Sequence, residues 1–340
     1  RPDRLVKPGA DLRKVDERIL VWRPPLILPL GNSCARVRKC NALVQSSLLH
    51  RLSARHDFLG GCCVCLLPPA ADLVDALAPW AVAFDLADDY ASWPGQNRPA
   101  REVARRQMAA LVSRADVCFA VSQRLAETYR SHAGRMVLLT NGVEYERFAR
   151  ATLGPVPTEL GSLRRPIVGF AGMIHEFVDL DLISSFAKAH PEVSVVMVGP
   201  LERDPGPVRG LANVHLLGFR PYDELPAYIA GFDVAVLPWA RTVAAEAANP
   251  AKIWQYLAAG KPTVASLLPD LEPLRDVVRL ADTPEAFIRE VESAVRDDGL
   301  EGATQRRERA RAQDWDAKTD VLENELDRVM RGWVGCRQRR

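Results

Sequence analysis

The chain has no apolar run of about 18 residues, the length a membrane-spanning helix needs. Asp72 and Asp75 break the most apolar stretch. An excess of one charge is also missing: Lys and Arg number 45 against 43 Asp and Glu, a formal net charge of +2, too little to argue for nucleic acid as a partner. No Gly-x-Gly-x-x-Gly run follows any expected strand, which argues against a nicotinamide-dependent dehydrogenase. Internal repeats and low-complexity tracts are absent as well. The sequence opens on Arg1 with no charged-then-apolar leader behind it, which reads as a fragment or an odd gene start of a cytoplasmic protein. Its seven cysteines, at 34, 40, 62, 63, 65, 118 and 336, are odd in number and fit reduced thiols.

What is present is ordinary core-forming material. Hydrophobic residues make up 48% and charged residues 26% of 340 residues, enough for two globular domains. Short apolar, β-branched runs alternate with helical patterns, the signature of parallel sheets built from βαβ units. Strands are expected over 18–22, 62–67, 82–84, 117–121 and 137–139, and then over 166–171, 193–198, 214–217, 234–237 and 263–266. Gly154, Pro155, Pro157 and Gly161 interrupt the rhythm over 147–165, which places the linker there and sets the domains at 1–155 and 163–332. Beyond Thr283 the pattern is helical, and Leu322, Leu326 and Val329 recur at helical spacing, so the last helix is expected on a domain surface. Cys62, Cys63 and Cys65 sit in an apolar strand pattern, where neighbouring side chains point to opposite faces. They read as core packing rather than as a metal site.

In open parallel sheets ligands bind beyond the carboxyl ends of the strands. There the second half carries Gly199-Pro200, Gly218-Phe219-Arg220 and Pro238-Trp239. Next comes Asn249-Pro250-Ala251-Lys252, in which Asn249 is expected to cap a helix that starts at Pro250 and turns free N–H groups toward an anion. A lysine in a first turn opposes the helix dipole unless something negative binds beside it.

The run from Asn249 to Pro262, NPAKIWQYLAAGKP, resembles the P-x-K-x-x-E-Y-L-A-x-G-K-P signature of retaining, family-4-like glycosyltransferases of the GT-B fold. Phe170 to Met173, Val178 to Leu182, Val198-Gly199-Pro200 and Leu217-Gly218 with Pro221 to Pro226 resemble the donor domain of those enzymes, in order. Phe84 to Tyr90, Ala120-Val121-Ser122 and Asn141 to Glu144 resemble the acceptor-side domain. The resemblance implies an α/β protein of two Rossmann-like domains with parallel sheets, a nucleotide-sugar donor bound by the second, and a glycan, lipid-linked or small-molecule acceptor bound by the first. It implies Asp85 and Lys252 as catalytic residues. Gly172, Gly199, Gly218, Arg220, Arg241, Asn249, Ala251, Lys252 and Gln255 would bind the donor, and Asp88, Asp89, Ser122 and Asn141 would line the acceptor side. No metal or other cofactor is implied. The reaction class it points to is polysaccharide assembly; a GT-B epimerase or coupling enzyme and a non-catalytic scaffold are the alternatives.

This chain departs from the family pattern at several positions. Ala247 and Gln255 replace a pair of glutamates, Met173 stands where a basic residue is common, and Asp85 stands where many relatives have histidine. The usual opening strand, glycine-rich loop and helix are not visible before Ile19, which implies that the acceptor domain lacks its first βα unit. His175 follows the strand glycine and is expected to face the cleft. Segment 31–56 holds Arg36, Arg38, Lys39, Arg51 and Arg55 with no acidic residue, as an ordinary helix with a basic face or as a peripheral contact with the inner face of a membrane.

Overall fold

A computed structural model describes residues 11–24, 28, 35–56, 61–77, 81–296 and 299–337. Cys34, the first ten residues and 31–34 of the basic segment lie outside them, as does the side chain of Cys336. The chain begins with an antiparallel hairpin of β1 (Asp11–Lys14) and β2 (Leu20–Arg23). The strand expected over 18–22 is therefore not a member of the parallel sheet. Two of its own residues, Ile19 and Val21, and Val15 of the turn are exposed, whereas a central parallel strand is covered on both faces.

The first domain continues with α1 (Ala35–Arg55), β3 (Cys62–Cys65), α2 (Ala70–Leu77), β4 (Ala81–Leu86), α3 (Arg98–Arg114), β5 (Val117–Ala120), α4 (Gln123–Tyr129) and β6 (Met136–Leu138). Its four strands form one parallel sheet in the order β3-β4-β5-β6. Asn97 caps α3 by accepting the Ala100 N–H at 3.0 Å, and Pro99 occupies the first turn, where its missing N–H costs nothing. Of the three clustered cysteines, Cys65 is buried; Cys63 and Cys65 share a face with their sulfurs 3.9 Å apart.

Two short helices, α5 (Tyr145–Ala151) and α6 (Thr158–Gly161), fill the expected linker. The second domain follows as β7 (Ile167–Ala171), α7 (Leu180–Ala189), β8 (Ser194–Val198), β9 (Val214–Gly218), α8 (Leu225–Ala230), β10 (Val234–Leu237), α9 (Val243–Glu246), α10 (Ala251–Ala258), β11 (Thr263–Ser266) and β12 (Arg279–Ala281). These six strands are parallel in the order β12-β11-β10-β7-β8-β9. The order reverses between β7 and β10, and such a reversal opens a crevice at the carboxyl ends of the two strands. Phe170, Phe232 and Tyr256 are the large buried side chains beneath it.

Three helices close the chain: α11 (Pro284–Arg296), α12 (Leu300–Arg311) and α13 (Trp315–Arg337). The span expected to belong to the second domain, 163–332, ends on the first. Leu322, Leu326 and Val329 of α13 pack against Ala83, Val117 and Phe119 of the first sheet, and Arg135 holds Glu325 through two bonds of 2.5 and 2.6 Å. The crossing runs over Gly142, where an added Cβ would come within 2.9 Å of the Gln313 carbonyl oxygen and 3.0 Å of the Trp315 ring. Among the described residues no helix is long and apolar enough to cross a membrane.

Candidate functional site

The crevice between β7 and β10 is built from the sheet outward. Gly172 follows β7 at φ +147° and Gly199 follows β8 at φ +143°, values that side-chain-bearing residues rarely adopt. A Cβ on Gly199 would strike the Gly172 backbone. The turns are knitted by the Gly172 N–H donating to Val198 O at 2.7 Å and the Gly199 N–H donating to Gly218 O at 2.8 Å.

Helix α10 is anchored under this edge by Tyr256. Its hydroxyl accepts the Ala171 N–H at 2.9 Å inside the core. Four residues earlier is one turn up on the same helix face, so the Tyr256 anchor lays Lys252 across the next residue of the strand end, Gly172. The ammonium lies 5.8 Å from the Phe170 ring centroid and 5.6 Å from that of Trp239. Among the described residues it has no carboxylate within ion-pair distance, and burial pushes its pKa down to about 8. The side chain is half-buried; desolvating a cation without a counter-ion is costly, and a bound anion offsets that cost. The Ala251 end of α10 points the same way.

The rim of the crevice is aromatic. His175 meets Phe177 at 4.9 Å between centroids, Phe177 meets Trp239 at 5.4 Å, and Trp93 of the first domain reaches Phe177 at 6.0 Å. The His175 pKa is lowered by burial and then by the charge of Lys252. Across the cleft, β4 delivers Asp85, and Asp88, Asp89 and Tyr90 follow it. Burial raises the Asp85 pKa. Burial, then the charges of Asp85 and Asp89, push Asp88 up to about 6. Asp85, Asp88 and Asp89 thus form an acidic cluster at the end of β4 in the first domain, and Lys252 is the cation at the β7 end in the second.

Several expected site residues have other occupations. Asn249 does not cap α10: the cap position is Pro250, and no side chain bonds the free N–H groups. The Asn249 amide instead accepts the Asn141 N–H at 3.1 Å and donates to Asp270 at 2.9 Å, while the Asn141 amide donates to Asn249 O at 2.6 Å. Ser122 is buried; it donates to Ala247 O at 2.6 Å and caps α4 by accepting the Leu125 N–H. Ser122 and Asn141 therefore tie the first domain to the loop before α10. Arg220 is held by both oxygens of Glu159 at 3.0 Å, by Tyr228 and by the Leu217 and Phe219 carbonyls. Gln255 lies against Tyr222, beside Glu144. Arg241 is exposed just beyond β10.

Tyr256, Trp239, Phe177 and Trp93 were not among the expected site residues. Tyr256 had a local signal in its four-residue spacing from Lys252, and Trp239 in its place just past a strand end. The aromatic contacts join residues from separate loops, which no spacing announces.

Residues 165–297 match the family model of glycosyl transferases group 1. The chain is 29% identical over 276 residues, 75% of its length and 69% of the relative's, to a protein described as a putative teichuronic acid biosynthesis glycosyltransferase, TuaH, of Bacillus subtilis (strain 168). Sucrose-phosphate synthase from Thermosynechococcus elongatus shares the fold with a TM-score of 0.75 at 15% identity, over 95% of this chain and 86% of that one. HepE of Anabaena, solved in complex with UDP and glucose, does so with a TM-score of 0.64 at 17% identity, over 89% and 84% of the two chains.

Proposed function

We propose that this chain, a group 1 glycosyltransferase of the GT-B fold, takes a sugar from a nucleoside diphosphate sugar held by its second domain. It passes that sugar, with retention of anomeric configuration, to an acceptor hydroxyl presented by its first domain. The similarity to a protein named for teichuronic acid biosynthesis supports a place in cell-envelope polysaccharide assembly.

The observation that carries the reading is Lys252, a half-buried cation at the reversal of strand order with no carboxylate within ion-pair distance among the described residues. As the sugar–phosphate bond breaks, negative charge grows on the leaving diphosphate. A cation already fixed beside it, with the first N–H groups of α10, stabilises that charge more than the ground state. Neutralisation rests on Lys252 rather than on a metal, with Arg241 as a second cation at the mouth. Backbone at Gly199 and Gly218 gives the nucleotide close approach, and Gln255 binds the ribose through its neutral amide. The acceptor hydroxyl attacks from the face the diphosphate is leaving, and its proton passes to a phosphate oxygen. Asp85 and Asp88 orient that hydroxyl from the opposite wall.

A thermal-shift panel of UDP, GDP, dTDP and ADP tests the donor site. At about 100 times its dissociation constant a bound nucleotide adds roughly 2.7 kcal/mol, which raises the midpoint by several degrees. A shift with one diphosphate that vanishes in Lys252→Ala supports the reading, and no shift with any of the four overturns it. The anomeric configuration of the product, read by NMR, decides retention.

A further inference from the structure

From Ile19 to His56 the sequence contains no Asp or Glu, and α1 spends its charges on two different faces. Arg38 turns inward and pairs with Asp72 of α2 at 2.5 Å. Ala42 and Ser46 are buried on the same inner side. On the outward face Arg36, Lys39, Leu43, Val44, Arg51 and Arg55 are exposed. Leu43 is 60% and Val44 44% exposed, at the middle of the stripe, with two cations toward each end. Among the described residues none of these four cations has an ion-pair partner.

We propose that this outer face of α1 docks the enzyme on a bilayer of anionic phospholipid. The chemistry is complementary at each point. The four cations meet headgroup phosphates, which draw basic segments from within about a Debye length. Leu43 and Val44 enter the boundary between headgroups and acyl chains, where apolar side chains leave water. The long Arg and Lys stems let the charged ends stay at headgroup level while the helix lies flat. The absence of any carboxylate from α1 itself removes the repulsion that an ordinary mixed-charge surface helix would meet. The docking does not depend on the transfer reaction, so it stands or falls separately from the donor-site reading.

Cosedimentation of the full chain with vesicles of phosphatidylcholine, with and without phosphatidylglycerol, tests the proposal. Binding is expected to the mixed vesicles, at least about tenfold tighter than to neutral ones, and to be released by raised salt. The combined variant Arg36→Glu, Lys39→Glu, Arg51→Glu and Arg55→Glu is expected to lose at least that factor. Leu43→Ser with Val44→Ser is expected to weaken binding several-fold at unchanged thermal midpoint, and it serves if the charge reversal fails to fold. Equal binding to neutral vesicles, insensitivity to salt, or no vesicle binding overturns the proposal. So does a dimer in solution that the serine variant disperses, because that outcome assigns the face to a second copy of the chain.

Discussion

Gly172 and Lys252 interlock: a Cβ built on the glycine would fall inside the lysine side chain, at a backbone φ of +147°. The glycine is needed twice, for its backbone and for the space the lysine occupies. Gly172→Ala is expected to displace the ammonium, to abolish nucleotide-induced thermal shifts and to cost about 1–3 kcal/mol of stability. A variant that keeps the wild-type shift with its diphosphate would show that Lys252 does not need this position.

Lys252→Ala is expected to lower turnover by about a hundredfold to a thousandfold, the usual cost of losing one preorganised group at a developing oxyanion. Initial rates at saturating donor measure it. Near-normal turnover would remove the residue from the mechanism.

The proposed roles of Lys252 and Asp88 predict a pH profile. Lys252 holds its charge below about 8, so activity that needs the ammonium falls as pH rises through that value. Asp88 becomes a carboxylate as pH rises through about 6, so activity that needs the carboxylate rises there. kcat/KM is expected to be bell-shaped, with Asp88→Asn flattening the acid limb. The stability of the free chain behaves differently. The folded pKa of Lys252 lies below its ordinary 10.5, so between the two the unfolded chain binds more protons, and this group's contribution to stability rises with pH across that window. Urea titrations at several pH values read it out.

Ser122→Ala is expected to destabilise the protein by about 1–3 kcal/mol, because it leaves the buried Ala247 carbonyl and the Leu125 N–H without a partner. Nucleotide affinity of the folded variant is expected to stay near wild type. A large loss of acceptor affinity at normal stability would return Ser122 to the acceptor side.

Chelation separates a lysine-based mechanism from a metal-based one. Turnover is expected to be unchanged after dialysis against EDTA, measured without added divalent ions. Loss of activity that magnesium or manganese restores would refute the assignment of charge neutralisation to Lys252.

The alternation of short β-branched runs with helical patterns determined the α/β class and nine of the parallel strands, since period and composition act over a few residues. The run through Lys252 and Gln255 likewise marked α10 and its N-terminal end, which no side chain caps. Strand β12, three residues long, was too short to show a pattern. The hairpin strand β2 carried the apolar look of a sheet member, and only its antiparallel pairing with β1 and the exposure of one of its faces set it apart.

Tertiary structure alone decided the rest, because it rests on pairs distant in sequence. Nothing local says that β10 lies against β7, yet that adjacency creates the crevice. Asn249 is a favourable cap by type, but Asn141 and Asp270 reach its amide first, and capping propensity yields to stronger buried bonds. Ser122 and Asn141 became ties between domains for the same reason. The spacing of Leu322, Leu326 and Val329 determined an amphipathic last helix. Which sheet it covers was settled by the apolar face of Ala83, Val117 and Phe119, which only the folded first domain assembles.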